Sequence, residues 1–419
     1  MVQIHALVPQ QQGKEDSALD LYKFMYTVDD GKKSEAIEFC DFVVKSVYQG
    51  LKAQKRLKVL INPFGGQGKA KEIFETKVRP VFESAQCKID VQYTDHRGHA
   101  IQIAKDLDID AFDVIVTVSG DGVIHEVING YLQRPDAREA MRKVPLGVIP
   151  GGTGNALSIC LLGEKLGFDP SYTALQIIKG TRLDLDLCSV TYPDHRYFSF
   201  LSHNYGITSY ADLATENMRW MGDARTVVGL MQEIFARNTY PLEAAIQIVE
   251  SDKETMKTNY QAARASNIEV SEDKTTGEIV DRIPDLSKPV PEDWMVIKDD
   301  VSMFLTSKMP WIGRGMLSHP YALPNDGLLD LLLVRGKSSI LKQLDIFAKV
   351  EKGKHLDSKI VEYYKIKAFR LTPIEIPGKK SYVAIDGEHA PLKPFQVEVH
   401  QKLGSVLSLH STYMDTVAV

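Results

Sequence analysis

Three short apolar stretches each run into a glycine-rich turn, and this repetition constrains the fold more than any other feature of the chain. Residues 57–61 lead into Asn62, Pro63, Phe64, Gly65, Gly66, Gln67 and Gly68; residues 113–118 into Ser119, Gly120, Asp121 and Gly122; residues 145–149 into Pro150, Gly151, Gly152, Thr153, Gly154 and Asn155. Each turn opens a segment with helical spacing of apolar residues, and repeated strand–turn–helix units imply a doubly wound parallel sheet. The run 113–118 is nearly all apolar and β-branched, as suits a central strand covered on both faces. Ligands of such sheets bind at the carboxyl ends of the strands. Glycine lets backbone N–H groups approach phosphate oxygens, and a following helix N-terminus favours negative charge. One Gly-Gly pair after a strand is as readily a tight turn, but three on one edge point to a phosphate site. None has the Gly-Lys-Ser/Thr ending of a Walker loop, and the first is not a Gly-x-Gly-x-x-Gly, so the expected nucleotide site has a different design.

The remainder divides around this region. Strands are expected at 57–61, 89–93, 113–118 and 145–149, with helices from the first turn to about 84, at 98–107 and at 123–132, giving an α/β nucleotide domain over 57–184. After Thr181 the texture changes: Leu183, Leu185 and Leu187 alternate with Asp184, Asp186 and Cys188, the period of a strand with one wet face. Further alternating runs predict an antiparallel, β-sandwich-like domain over 185–419, interrupted by helices at 210–218, 223–236 and 339–351. Polar residues 251–292 predict a mobile surface insertion. Residues 1–56 form an N-terminal extension whose Ile37, Cys40, Val44, Val47 and Leu51 mark one face of a helix, with Ser34 as its cap.

Composition excludes several classes. Lys+Arg 50 against Asp+Glu 55 in 419 residues gives a formal charge of −5, which argues against nucleic acid as the main partner. No apolar run approaches the roughly 20 residues needed to span a bilayer. The first residues lack a basic flank followed by an apolar block, so no secretory signal is expected. Cys40, Cys87, Cys160 and Cys188 are far apart, without a Cys-x-x-Cys pair for zinc or redox chemistry, which predicts reduced thiols.

Asp121 stands between two glycines after a buried strand and before a helix, with no evident packing role. Its carboxylate, ionised at pH 7 at its reference pKa of about 3.9, is either a metal-binding group or an acceptor for a hydroxyl proton.

The segments 62–70, 119–136 and 145–158 resemble the diacylglycerol-kinase-like catalytic domain of the lipid kinases, and 211–225, 350–356 and 384–390 resemble the sphingosine (long-chain-base) kinases within it. The likeness runs from about residue 57 to the end, apart from 251–292. It implies an ATP-dependent kinase that phosphorylates the primary hydroxyl of a sphingoid base, with Mg2+ as cofactor. Asn62, Gly65, Gly66, Gly68, Ser119, Gly120, Gly122, Thr153, Gly154 and Asn155 would line the nucleotide pocket, with Arg219 and Arg225 reaching its phosphates. Asp121 would be the general base, Glu126 would orient nearby groups, and Asp212 would meet the amino and hydroxyl head group of the lipid. Asp386, Gly387 and Glu388 would lie near the phosphates, with the two carboxylates holding Mg2+ through water. Two positions depart from the family pattern: Gly151 stands where many relatives carry alanine, and Trp220 where some carry a second arginine.

Without the resemblance, Glu216 with Arg219 is a surface pair, 386–388 a hairpin turn, and His125 and His355 are structural. Alternative functions are a diacylglycerol or ceramide kinase, or a non-catalytic nucleotide- or lipid-binding regulator. The helix at 223–236 carries more apolar surface than one buried face needs, so it is expected either to gate a lipid pocket and touch a membrane surface transiently or to be a well-buried core helix. A cytoplasmic, peripherally membrane-associated enzyme follows, with the oligomeric state left open, a dimer included.

Overall fold

The computed structural model describes residues 1–10, 18–66, 68–215, 224–265 and 278–416. The chain opens with an antiparallel hairpin, β1 (Val2–Pro9) and β2 (Leu19–Tyr26), followed by helix α1 (Lys33–Val47). The helix was legible from its spacing, but it starts at Lys33, so Ser34 lies within its first turn and does not cap it; the hairpin was not legible.

The parallel part follows as β3 (Arg56–Ile61), α2 (Ala70–Ile73) continuing through a π turn into α3 (Arg79–Ser84), β4 (Lys88–Tyr93), α4 (His99–Lys105), β5 (Val114–Ser119), α5 (Asp121–Leu132), α6 (Ala137–Lys143), β6 (Leu146–Pro150), α7 (Ala156–Leu166) and α8 (Pro170–Lys179). Strand order is β4-β3-β5-β6, all parallel, and every residue of β5 is buried. Helix α5 begins at Asp121, two residues earlier than its apolar spacing predicts. An acidic first residue suits the positive end of a helix dipole.

The second part comprises β7 (Thr181–Thr191), β8 (Arg196–Ser199), β9 (Ser202–Gly206), α9 (Ile207–Leu213), α10 (Ala224–Ala236), β10 (Tyr240–Glu250), α11 (Lys253–Ala265), β11 (Met295–Ser307), β12 (Leu329–Arg335), α12 (Ile340–Val350), β13 (Glu362–Pro373), β14 (Val383–Ile385), β15 (Glu388–Ala390) and β16 (Phe395–Ser408). Its strands pair antiparallel. The two parts are one 14-stranded sheet, because β16 pairs antiparallel with β7 and β13 and parallel with β6 at Val406↔Leu146. One apolar cluster spans the join, uniting Leu60, Ile115 and Val148 with Leu183, Leu185, Leu187 and Phe200.

Segment 251–292 departs from the expected mobile insertion. Helix α11 buries Met256 and Tyr260, and the Thr416 hydroxyl donates to the Tyr260 oxygen at 2.8 Å. Further on, Asp281 accepts from the hydroxyls of Ser189 (2.8 Å) and Thr191 (3.0 Å), and Glu398 from the backbone N–H of Arg282 (2.7 Å). Polar composition here serves pairing with the sheet; residues 266–277 lie outside the described residues. Tyr260→Ala is expected to lower unfolding free energy by about 3 kcal/mol, the range for truncating a buried aromatic. Urea denaturation checks it, and a loss below about 1 kcal/mol counts against a packed helix.

Candidate active site

The three glycine turns meet at the carboxyl edge of the parallel sheet. A Cβ on Gly152 would stand 2.5 Å from the Gly120 Cα, and one on Gly66, whose φ is +57°, 2.8 Å from the Gly151 carbonyl oxygen. The Gly151 N–H donates to the Ser119 carbonyl at 2.8 Å, and the Asn62 side chain closes its own turn by accepting from the Phe64 N–H at 3.0 Å. Gly65 lies beside the Asn62 amide, and the Gly68 N–H returns to the Gly65 carbonyl at 3.0 Å. Thr153 is exposed on the third turn. The buried Asn155 is left-handed (φ 50°), and its amide donates to the Gly152 carbonyl at 2.6 Å. Its side chain therefore braces the turn, where the resemblance had implied pocket lining.

Asp121, the first residue of α5, points at the start of α7. Its carboxylate accepts from the N–H groups of Ala156 (2.9 Å) and Leu157 (3.4 Å), and a Cβ on Gly154 would come within 3.0 Å of it. The α7 terminus expected to face phosphate is thus occupied by Asp121. Burial pushes the Asp121 carboxyl up to about 6, against the pull of the two amides and with a contribution from nearby Asp386.

Three other acidic residues behave differently from one another. Glu126 accepts from the N–H groups of Gly98 (2.8 Å) and Ala100 (3.1 Å), so it caps α4. Asp386 and Gly387 are the two turn residues of the β14–β15 hairpin, with φ of 52° and 78° between the paired Ile385 and Glu388. The Asp386 side chain is fully buried with both oxygens engaged. Oδ1 accepts from the Ser199 hydroxyl (2.7 Å) and the N–H groups of Leu201 (2.9 Å) and Ser202 (3.0 Å); Oδ2 accepts from Phe200 N–H (3.2 Å) and His125 Nδ1 (2.8 Å). Burial alone would raise its pKa, but His125 holds it below the ordinary carboxylate value. Asp386 therefore does not fit the metal-ligand role implied for it. Glu388 does fit: its carboxylate is half exposed, and Oε1 would lie 3.2 Å from a Cβ on Gly122.

Asp212 and Arg225, expected at the lipid and the phosphates respectively, are brought together. The Arg225 guanidinium donates to the Asp212 carbonyl (2.6 Å) and carboxylate (3.1 Å). Arg219, Glu216 and Trp220 lie outside the described residues. His355 is buried with Nε2 2.9 Å from the Ser318 carbonyl, a structural position. One residue at this edge escaped the sequence reading, and His125 was read there only as structural. Arg97, in the turn after β4, donates to Glu388 at 2.8 Å; its signal was a place on the same sheet edge beside Gly98, a single glycine that does not stand out as the three glycine-rich turns do. His125 follows Asp121 by one helical turn, a spacing that was available but unused.

The model of the diacylglycerol kinase catalytic domain family matches residues 56–190, and that of the YegS C-terminal NAD kinase beta sandwich-like domain matches 299–408. The chain is 37% identical over 371 residues to sphingoid long chain base kinase 4 of Schizosaccharomyces pombe, covering 88% of this chain and 79% of the relative. It is 32% identical to sphingoid long chain base kinase 5 of Saccharomyces cerevisiae, covering 91% of this chain and 63% of that protein. Human sphingosine kinase 1 is 31% identical over 82% of this chain and 88% of its own length. A solved structure of a putative diacylglycerol kinase from Bacillus anthracis has the same fold, with a TM-score of 0.57 at 16% identity, over 86% of this chain and 97% of that one.

Because backbone meets backbone at Gly152, the Cβ of Gly152→Ala has no room. This variant is expected to weaken ATP binding about tenfold or more through displacement of the turns. Gly313→Ala, with open space around its Cβ, should bind normally. Fluorescent-nucleotide titration compares them; equal affinities would count against the convergence of the turns as the nucleotide site.

Proposed function

The chain belongs to the sphingoid long-chain-base kinase family, and from that premise we propose that it transfers the γ-phosphate of ATP to the primary hydroxyl of a sphingoid base. The observation that carries this reading is Asp121, held at the meeting point of the glycine turns with a carboxyl pKa of about 6. The hydroxyl oxygen attacks the γ-phosphorus, its proton passes to Asp121, and the bond to the β-phosphate oxygen breaks to release ADP. At pH 7 the carboxylate is mostly ionised, and its raised proton affinity suits a base near neutral pH. Mg2+ would enter on the nucleotide, with Glu388 meeting its water shell, and would neutralise phosphate charge. Arg97, paired with Glu388 at the same edge, supplies a cation there.

Selection of an amine-bearing lipid is assigned to Asp212. A sphingoid ammonium would compete with Arg225 for its carboxylate, whereas a neutral diacylglycerol offers no such charge. Transient membrane contact is assigned to α10. Leu230 and Ile234 of this helix are buried, while Val227 and Phe235 are 56% and 61% exposed. An apolar residue pair facing solvent beside a lipid site suits dipping into a headgroup layer. No described helix is long and apolar enough to cross a membrane.

Transfer of labelled phosphate from ATP to sphinganine, sphingosine, ceramide and diacylglycerol tests the reading. The first two should be labelled; preference for diacylglycerol or ceramide would overturn it. Asp121→Asn should lose about 10²-fold or more in kcat while binding ATP normally. In the wild type, activity should fall as pH drops through about 6, because protonated Asp121 cannot accept the hydroxyl proton; a flat profile from pH 5 to 8 would argue against this base. Asp212→Asn should raise the KM for sphingosine and spare that for ATP. Val227→Glu with Phe235→Glu should reduce sedimentation with anionic vesicles without lowering Tm; unchanged sedimentation removes α10 from the membrane contact.

A further inference from the structure

Residues 121, 125 and 129 fall four apart on α5, so Asp121, His125 and Asn129 line one face of the helix in successive turns. Two of these fasten α5 to the antiparallel part. Asn129 exchanges hydrogen bonds with Phe198, donating to its carbonyl and accepting from its N–H, both at 2.8 Å. His125 Nδ1 lies 2.8 Å from Asp386, and its ring stands edge-on to Tyr197 at 5.9 Å between centroids. The third is the proton acceptor of the proposed reaction.

Asp386 is more than a partner for one histidine. Its backbone N–H donates to the Ser202 carbonyl at 2.8 Å, and its carboxylate collects the Ser199 hydroxyl and the N–H groups of residues 200–202. One buried carboxylate thus joins the β8–β9 corner, the β14–β15 turn and, through His125, the helix that carries Asp121. A carboxylate so buried and so fully bonded has little freedom to move, and a side chain tied to it inherits that fixity.

We infer that His125 is a positioning residue for the transfer reaction: through Asp386 it fixes the first turn of α5 against the antiparallel part and so sets Asp121 on the amides of Ala156 and Leu157. This deepens the kinase reading and rests on it for its consequences in turnover. A base displaced by about 1 Å loses roughly 10²-fold in rate without losing substrate affinity, so the effect belongs in kcat.

The test compares His125→Leu, which removes the N–H to Asp386, with His125→Asn, whose amide can place an N–H near the Nδ1 position. His125→Leu should lower kcat by about 10²-fold with the KM for ATP within about twofold, and His125→Asn should recover at least about tenfold of that loss. A wild-type kcat in His125→Leu, a loss confined to KM, or equal losses in both variants would overturn the inference. Amide hydrogen exchange of residues 156 and 157 reads the same geometry without turnover. Exchange should rise in His125→Leu and stay near wild type in His125→Asn, and no rise would overturn the inference whatever lipid the enzyme accepts. Absence of wild-type turnover on sphingoid bases would instead overturn the proposed substrate while leaving the exchange result to decide the role of His125. If His125→Leu does not fold, Ser199→Ala, which removes another donor to Asp386, should give the same kcat-only loss at several-fold amplitude; unchanged kcat would overturn the inference.

Discussion

The sheet is continuous because one strand changes partners along its length. The first half of β16 pairs with β13 and β7; after a register shift between His400 and Gly404 it continues along β7 and meets β6 in parallel. The shift leaves ladder groups unpaired, and buried amides without partners are costly. Asp186 of β7 supplies the remedy: its carboxylate accepts from the Lys402 N–H at 2.8 Å and the Gly327 N–H at 2.7 Å. Its charge is answered by Lys308 at 2.8 Å, which also reaches Asp326 at 2.9 Å, and Asp326 with Asp330 holds Lys365. Buried ions are tolerated only when paired and hydrogen-bonded, so loss of one member strands the others. The join between the two parts therefore depends on a charged network deep in the antiparallel part.

That continuity gives the candidate site a composite origin. The glycine turns and Asp121 come from the parallel strands and their helices, while Asp386 and Glu388 come from a hairpin more than two hundred residues later in the chain. Asp121, Glu388 and the buried Asp386 bring negative charge to a region that must accept a polyphosphate. Like charges repel more strongly in a partly dry environment than in water, and Asp386 raises the proton affinity of Asp121. His125 offsets Asp386 and Arg97 offsets Glu388. Asp121 is held by backbone amides, and its proton affinity rises where that of Asp386 falls. The division of partners thus separates structural carboxylates from the reactive one.

The parallel part was legible in the sequence because its signals are local. Buried β-branched runs mark the strands, and glycines mark the turns where backbones touch, as Gly66, Gly120 and Gly152 do. The antiparallel part was harder wherever charge lies inside. Strand β13 carries Lys365 and Arg370 in buried positions, so its alternation was masked by residues normally read as exposed. Lys365 is held by Asp326 and Asp330, and Arg370 by the carbonyls of Pro284, Asp285 and Lys288. Those partners are distant in sequence, and no periodicity announces them. The same reason explains Asp386: a carboxylate in an Asp-Gly-Glu turn resembles a metal ligand until the N–H groups of a different corner are seen to fill it.

The contrast between Asp386 and Asp121 also bears on how a helix start can serve catalysis. A carboxylate at a helix N-terminus is ordinarily made a weaker base by the amides it accepts. Asp121 takes two such hydrogen bonds, from Ala156 and Leu157, yet burial and the neighbouring Asp386 outweigh them. The amides fix where the carboxylate stands, and the surroundings set how strongly it holds a proton. Orientation comes from the amides, and burial has the largest part in basicity. A change in the α5 anchoring at His125 then displaces the base from the amides of Ala156 and Leu157 and leaves burial to set its basicity.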